Sequence, residues 1–121
     1  MTVSELVERG LRRNRAAPLA IEGDDCIDAQ GNRARFSVNA ADGRVVEVGF
    51  QTTSCATLLA YGELIAETAP GLRLDLAACL SARDLVEALP GVPALKRNRA
   101  VLAIAAFRSV LCKISTNGKL P

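Results

Sequence analysis

Two hydrophobic periods meet in the middle of the chain. Phe36, Val38 and Ala40 alternate with Arg35, Ser37 and Asn39, and Val46, Val48 and Phe50 alternate with Glu47, Gly49 and Gln51. Asp42-Gly43 lies between the two runs and supplies the turn, so this stretch is expected to be a hairpin with one buried face. After Cys55 the period changes. Leu58, Tyr61 and Ile65 fall on one helical stripe with Leu64 beside it, and Pro70-Gly71 stops the helix near Ala69. Upstream, Val3, Leu6, Val7 and Leu11 predict a helix over 3–13, and Leu19 to Gly23 a short strand. Asp24, Asp25 and Asp28 then belong to a loop running to Gln30-Gly31-Asn32. Downstream, residues 72–80 form a weaker segment, and Ser81 caps a short helix ended by Pro90-Gly91. The last helix starts between Pro93 and Arg97 and runs to about Ile114. It is apolar almost all round, with Ala103, Phe107, Val110 and Ile114 on one face, and is expected to lie centrally. The tail from Thr116 to Pro121 is expected to fray. The pattern predicts a single α+β domain over 1–121, a small antiparallel sheet of about three strands with helices packed on one face.

Composition narrows the chemistry. The chain has 121 residues, a net charge of +2, three Phe, one Tyr and no His. Without histidine there is no Ser-His-Asp or Cys-His catalysis and no His-ligated zinc or haem. With so few aromatics there is no stacking platform for bases, and nucleic acid is not an expected partner. The longest apolar run, Ala100 to Phe107, is too short to span a bilayer. Residues 2–15 carry no apolar leader segment, so a cytoplasmic location is expected, with reduced thiols. Of the four cysteines, Cys79 and Cys112 sit in apolar helical patterns and are expected to pack in the core. Cys26 lies in the acidic loop. Cys55 stands at a strand-to-helix junction, beside unpaired helix N–H groups that favour a thiolate, a position suited to a metal ligand or sulfur carrier.

Two basic clusters stand out. Arg12, Arg13 and Arg15 end the first helix, where they are expected to form a solvated, dipole-complementing terminus. Lys96, Arg97 and Arg99 stand at the start of the last helix, where positive charge opposes the dipole, and the acidic loop Asp24, Asp25 and Asp28 is the expected compensating partner.

The order hairpin, cysteine, helix, then a helix opened by a basic stretch resembles the NifU/IscU-type iron–sulfur cluster assembly scaffolds over roughly residues 10–115. Three stretches carry the likeness: Gln30 to Phe36, Asp42 to Cys55, and Leu89 to Ala103. The resemblance implies three cysteines and an aspartate converging at one end of the molecule, where they bind zinc or iron, accept sulfide from a cysteine desulfurase and hold a nascent cluster. Position by position, the first cysteine falls on Gln30, the aspartate on Asn32 and the third cysteine on Arg99. Cys55 alone keeps its identity. A permanent guanidinium cannot ligate a metal, and amides are poor ligands for thiophilic ions. Leu89-Pro90-Gly91-Val92-Pro93 is similar to the Leu-Pro-Pro-Val-Lys element through which some scaffolds contact a chaperone, with Pro93 at the lysine position.

The expectation is therefore a scaffold-like binding or adaptor module, not an enzyme, with an incomplete site and no bound cofactor. A cysteine desulfurase or an assembly chaperone is its implied partner. Arg99 is expected in the metal's place, bonded to Gln30 and the sulfur of Cys55. The alternative keeps zinc, iron or an iron–sulfur cluster, held by Cys55 and Cys26 with Asp24, Asp25 or Asp28 as substitute ligands. A third reading makes Cys55 a nucleophile activated by the helix N-terminus and Arg99.

Overall fold

The structure, a computed structural model, describes residues 1–116, with side chains described through Ile114. The expected fraying of the tail thus falls on residues that, from 117 on, lie outside the described residues, whereas Thr116 is still helical. The order is α1 (Val3–Arg15), β1 (Ile21–Glu22), β2 (Cys26–Ile27), β3 (Arg33–Ala41), β4 (Arg44–Thr52), α2 (Ala56–Thr68), α3 (Leu74–Ala77), α4 (Ala82–Ala88), a 3-10 turn (Ala94–Lys96) and α5 (Arg99–Thr116).

The architecture is α+β around an antiparallel sheet of four strands rather than about three. The extra strand comes from the acidic loop. β1 and β2 both pair with the same edge of β3, Ile21 opposite Val38 and Cys26 opposite Ala34, so they are two halves of one interrupted strand. Two-residue strands carry no readable alternation, which is why the β2 half read as loop. The β3–β4 hairpin turns at Asp42 and Gly43, both with positive φ (55° and 74°), the geometry for which Asp-Gly is selected.

One register differs from the simple alternation. Asn39 pairs with Glu47 but Ala40 pairs with Val45, so Val46 is an extra residue in a β-bulge. Val45 is therefore buried, whereas Val46, expected to face inwards, is 55% exposed. Beyond the bulge Phe36 faces Phe50, and both rings meet the core beside Phe107 of α5.

α5 lies across β3 and the interrupted strand, and α1 and α2 pack together against β4. The helices cover one sheet face. The other face is partly covered by the segment between α1 and β1. The Leu19 N–H donates to Ser37 Oγ (2.9 Å), the Ala20 N–H to Asn39 Oδ1 (3.1 Å), and the Gln51 amide to the Ala16 carbonyl (3.0 Å). Ser37 is accordingly fully buried.

The helix starts follow their capping signals. Thr2 with Glu5, and Ser81 with Asp84, each close a capping box. α5 is central, as expected, with Ala103, Phe107, Val110 and Ile114 all buried, but it keeps a solvent stripe on which Val101 is 61% exposed. Cys112 lies on exposed surface and so does Cys79, contrary to the expected core packing. Both belong to segments whose buried faces are filled by neighbouring residues, Leu111 and Ile114 for one and Ala77 for the other.

The first basic cluster is also not a simple solvated helix end. The Arg13 guanidinium donates to both oxygens of Glu63 (2.7 and 3.0 Å) and to the Val48 carbonyl (2.8 Å). The Glu63 side chain is only 1% exposed. Beside this pair Arg9 grips Glu67, also through two contacts (3.0 and 3.2 Å). The next residue, Asn14, pairs with both polar groups of Thr52, donating to the carbonyl at 3.2 Å and accepting from the N–H at 2.7 Å. α1 thus closes the free edge of β4 with side chains where a further strand would use backbone. The turn after α2 closes the same edge lower down: the Val45 N–H donates to Leu72 O, and the Gly71 N–H to Val45 O.

Candidate functional site

Cys55 is the last residue before α2. Its backbone is extended (φ −103°, ψ 120°) and its side chain makes no capping bond, so the sulfur is not spent on closing its own helix. It is half-buried and packs against the edge of the core. Two residues earlier, Thr53 fixes the approach. Its N–H donates to Arg33 O (3.1 Å), and its own carbonyl accepts from the Cys55 N–H (2.8 Å).

Gln30 and Asn32 sit in the turn that leads into β3, and Asp28 builds that turn. Its Oδ1 accepts from the backbone N–H groups of Gln30 and Asn32 (2.9 Å each), and its Oδ2 accepts from the Asn32 side-chain amide (3.0 Å). The Asn32 carbonyl oxygen in turn faces the Thr53 hydroxyl at 3.5 Å, which links the turn to the strand end preceding Cys55. These bonds hold the Asp28 carboxyl below the usual carboxylate range, the Asn32 amide first, with the Arg99 guanidinium adding to the effect through space. The residues that the resemblance aligns with ligands are joined through a residue it does not align.

Arg99 opens α5 and is partly buried. It donates to Asn98 Oδ1 at 2.7 Å, and its Nε is buried without a hydrogen-bond partner. The expected bonds to Gln30 and to the sulfur of Cys55 are not what the geometry gives. Its guanidinium is bonded to the neighbouring Asn98 instead.

The acidic loop does not serve as one compensating group for the cations at the start of α5. Asp24 pairs with Lys113 (2.9 Å), because its N–H is pinned to Ser109 Oγ far along α5. Asp25 faces Arg33 and Arg35 (3.7 and 4.0 Å). Asp28 caps its own turn, with Arg99 contributing through space. Each carboxylate proposed as a substitute ligand thus has another partner. Cys26 is half-buried in β2, and burial, then the Asp24 and Asp25 charges, push its thiol up, away from the form that ligates metal. No group of three or more His, Cys, Asp or Glu among the described residues is arranged to hold a metal ion. The donor set at the matched positions (one thiol, two amides and a guanidinium) does not fit zinc, iron or a cluster held in the usual four-ligand way.

The Leu89–Pro93 loop is a closed turn. Leu89 and Val92 are buried, the Val92 N–H donates to Leu89 O, and the Val92 carbonyl accepts from Arg97 Nε (3.2 Å). Beyond it Leu95 is 91% exposed.

Sequence reasoning named Cys55, Gln30, Asn32 and Arg99 but gave Asp28 only a share in the acidic loop, as a compensating charge or a substitute ligand, and not the building of the turn. The signal was the spacing Asp28-x-Gln30-x-Asn32, in which an aspartate precedes by two and four residues the N–H groups its carboxylate can accept. No helix among the described residues is long and apolar enough to cross a membrane.

Comparison with known proteins supplies the context. Residues 9–117 match the family described as NifU-like N terminal domain. The chain is 38% identical over 81 residues to the Bifunctional protein NifU/MnmA of Rubrobacter xylanophilus, covering 65% of this chain and 17% of that protein. It is 29% identical over 106 residues to the Iron-sulfur cluster assembly scaffold protein IscU 1 of Archaeoglobus fulgidus, covering 83% of this chain and 69% of that one. Among solved structures, an N-terminal NifU-like protein from Brucella abortus superimposes with a TM-score of 0.65 at 16% identity, over 92% of both chains. A putative scaffold for the SUF system from Fervidobacterium islandicum gives 0.54 at 13% identity, over 93% of both, a likeness of fold.

Proposed function

We propose that this chain, which belongs to the NifU-like N-terminal domain family, serves iron–sulfur cluster assembly as a docking or adaptor module rather than as the vessel in which a cluster is built. A relative in this family is named as an iron–sulfur cluster assembly scaffold, and the resemblance implies a cysteine desulfurase or an assembly chaperone as partner. One observation carries the finer reading: at the four matched positions stand Gln30, Asn32, Cys55 and Arg99, with Asp28 already saturated by the turn it builds. A permanent guanidinium at one of the matched positions supplies no ligand to iron or zinc.

Docking is a separate property. It needs the shape of the scaffold surface, which the fold supports, and it needs no completed ligand set. Cys55 remains the one thiol at these positions to which a desulfurase could present sulfur. The reading implies a cytoplasmic protein, no nucleic-acid partner and no cofactor of its own.

The test is reconstitution of the purified chain with iron, sulfide and a cysteine desulfurase. Gel filtration is expected to give a complex with the desulfurase, and visible absorbance to show no cluster. Cluster absorbance that disappears in Cys55→Ser would overturn the adaptor reading in favour of a loaded scaffold.

A further inference from the structure

We infer that Asp28 acts as a metal-free latch, tying the turn that carries Gln30 and Asn32 to the strand end before Cys55. The inference deepens the adaptor reading and rests on it. If these positions hold no metal, something else must fix them.

Three elements meet here through polar groups: β2 with its following turn, the start of β3, and the end of β4. The turn's side-chain hydrogen bonds centre on one carboxylate. Asp28 Oδ1 closes the turn twice and Oδ2 fixes the Asn32 amide. The amide's other end meets Thr53, whose Oγ1 also faces the Arg33 N–H at 3.4 Å. The backbone adds its own closure, Asp28 N–H to Asn32 O (3.0 Å) and Gly31 N–H to Asp28 O (3.1 Å). Gly31 takes φ +82°, a conformation reserved largely for glycine. The Arg99 charge adds a weaker, through-space contribution in the same direction.

A metal held by thiolates would do the same mechanical work by drawing negative ligands from several elements to one centre. Here the polarity is reversed. The centre is a single anion, and the elements supply N–H donors and a cation. The reversal accounts for Asn32, whose side-chain amide donates to the central carboxylate and would not suit a central cation; Gln30 contributes only its backbone N–H. Asp28 is a positioning residue. It sets the surface presented around Cys55 and takes part in no bond-making step.

The test is amide hydrogen exchange followed by mass spectrometry on the full chain, with and without a chelator and with and without added zinc. In the wild type, exchange over 28–33 is expected to be indifferent to both. In Asp28→Ala it should rise several-fold over 28–33 and 52–56 and stay unchanged in α1 and over 35–41. Arg99→Gln should give a smaller rise confined to the same segments. Asp24→Ala, which removes only the pair with Lys113, should leave them alone. Should Asp28→Ala not fold, Asp28→Asn reads the same segments with one oxygen retained. Faster wild-type exchange on adding chelator, or unchanged exchange at 28–33 in the Asp28 variants, would overturn the latch. A Cys55-dependent cluster in a chain whose 28–33 exchange still depends on Asp28 would sink the adaptor reading and leave the latch standing.

Discussion

Glu63 and Asp28 are both carboxylates at the centre of a polar cluster, and they show how differently charge works inside a small domain and at its surface. Glu63 lies within the α1–α2 interface, 1% exposed, with Arg13 bound to both its oxygens. Asp28 lies in a surface turn and is served mainly by backbone and amide N–H groups. Water can take over the duties of the second cluster but reaches only the Arg13 side of the first. The buried pair should therefore govern whether the domain folds, and the surface turn only how one end of it is ordered.

The largest effect that could break this contrast comes from removing one half of the buried pair. Arg13→Ala leaves Glu63 buried without its cation and abandons the Val48 carbonyl as well. Stripping one partner from a buried ion pair costs about 3–5 kcal/mol, and Arg13's residual 27% exposure puts the expected loss near the lower bound. Urea denaturation should show the midpoint falling with little change in slope. Joint replacement by apolar residues, Arg13→Met with Glu63→Leu, should recover much of that loss, because no charge is then stranded. A double variant as unstable as the single one would mean that the pair stabilises through geometry that apolar packing cannot replace.

These two clusters also mark where the sequence could be read and where it could not. Features that depend on neighbours in the chain were legible: the Asp42-Gly43 turn, the Ser81 cap, the stop at Pro70-Gly71. The turn at Asp28-x-Gln30-x-Asn32 was legible in the same way, from the spacing of its residues. Arg13 and Glu63 stand 50 residues apart, and nothing local to either reveals the other. The one hint was Glu63 itself, a lone acid in the run Leu59-Ala60-Tyr61-Gly62-Glu63-Leu64-Ile65-Ala66, since a charge in a buried stripe demands a partner. Val46 was misplaced for a related reason. A bulge is a property of two strands, and alternation along one of them cannot show it.

A second substitution tests whether the α1–α2 interface is held by charge alone. Gly10 of α1 faces Leu59 of α2 so closely that an added Cβ would stand 2.8 Å from the Leu59 carbonyl oxygen. On an open helix, Gly→Ala would gain up to about 1 kcal/mol. Here the helices must separate, and overpacking of this kind costs about 1–3 kcal/mol. Thermal unfolding should show a net loss, smaller than that of Arg13→Ala. A net gain would mean that α1 can shift outwards without losing the Arg13–Glu63 contact, and that the pair rather than the close approach positions the helix.

The smallest effect is a titration in which the two carboxyls move in opposite directions. Burial pushes Glu63 up, with Arg13 pulling against it, whereas the Asn32 amide and then the turn's N–H groups and Arg99 hold Asp28 down. For Asp28 the folded pKa lies below the unfolded value of about 3.9. Its contribution is thus complete above that value and is lost as the pH falls through the folded pKa. For Glu63 the folded pKa lies above the unfolded one, so protonation favours the folded chain. That share is full below the unfolded value and disappears as the pH rises through the folded one. Carboxyl-carbon NMR shifts should place the Asp28 midpoint below the usual aspartate value and the Glu63 midpoint above the usual glutamate value. The causes can then be ranked: Asn32→Ala should raise the Asp28 midpoint more than Arg99→Gln does, because a direct amide bond outweighs a charge acting through space. The reverse order would make Arg99 the principal anchor of the turn, with the hydrogen bonds around Asp28 secondary to an ion pair.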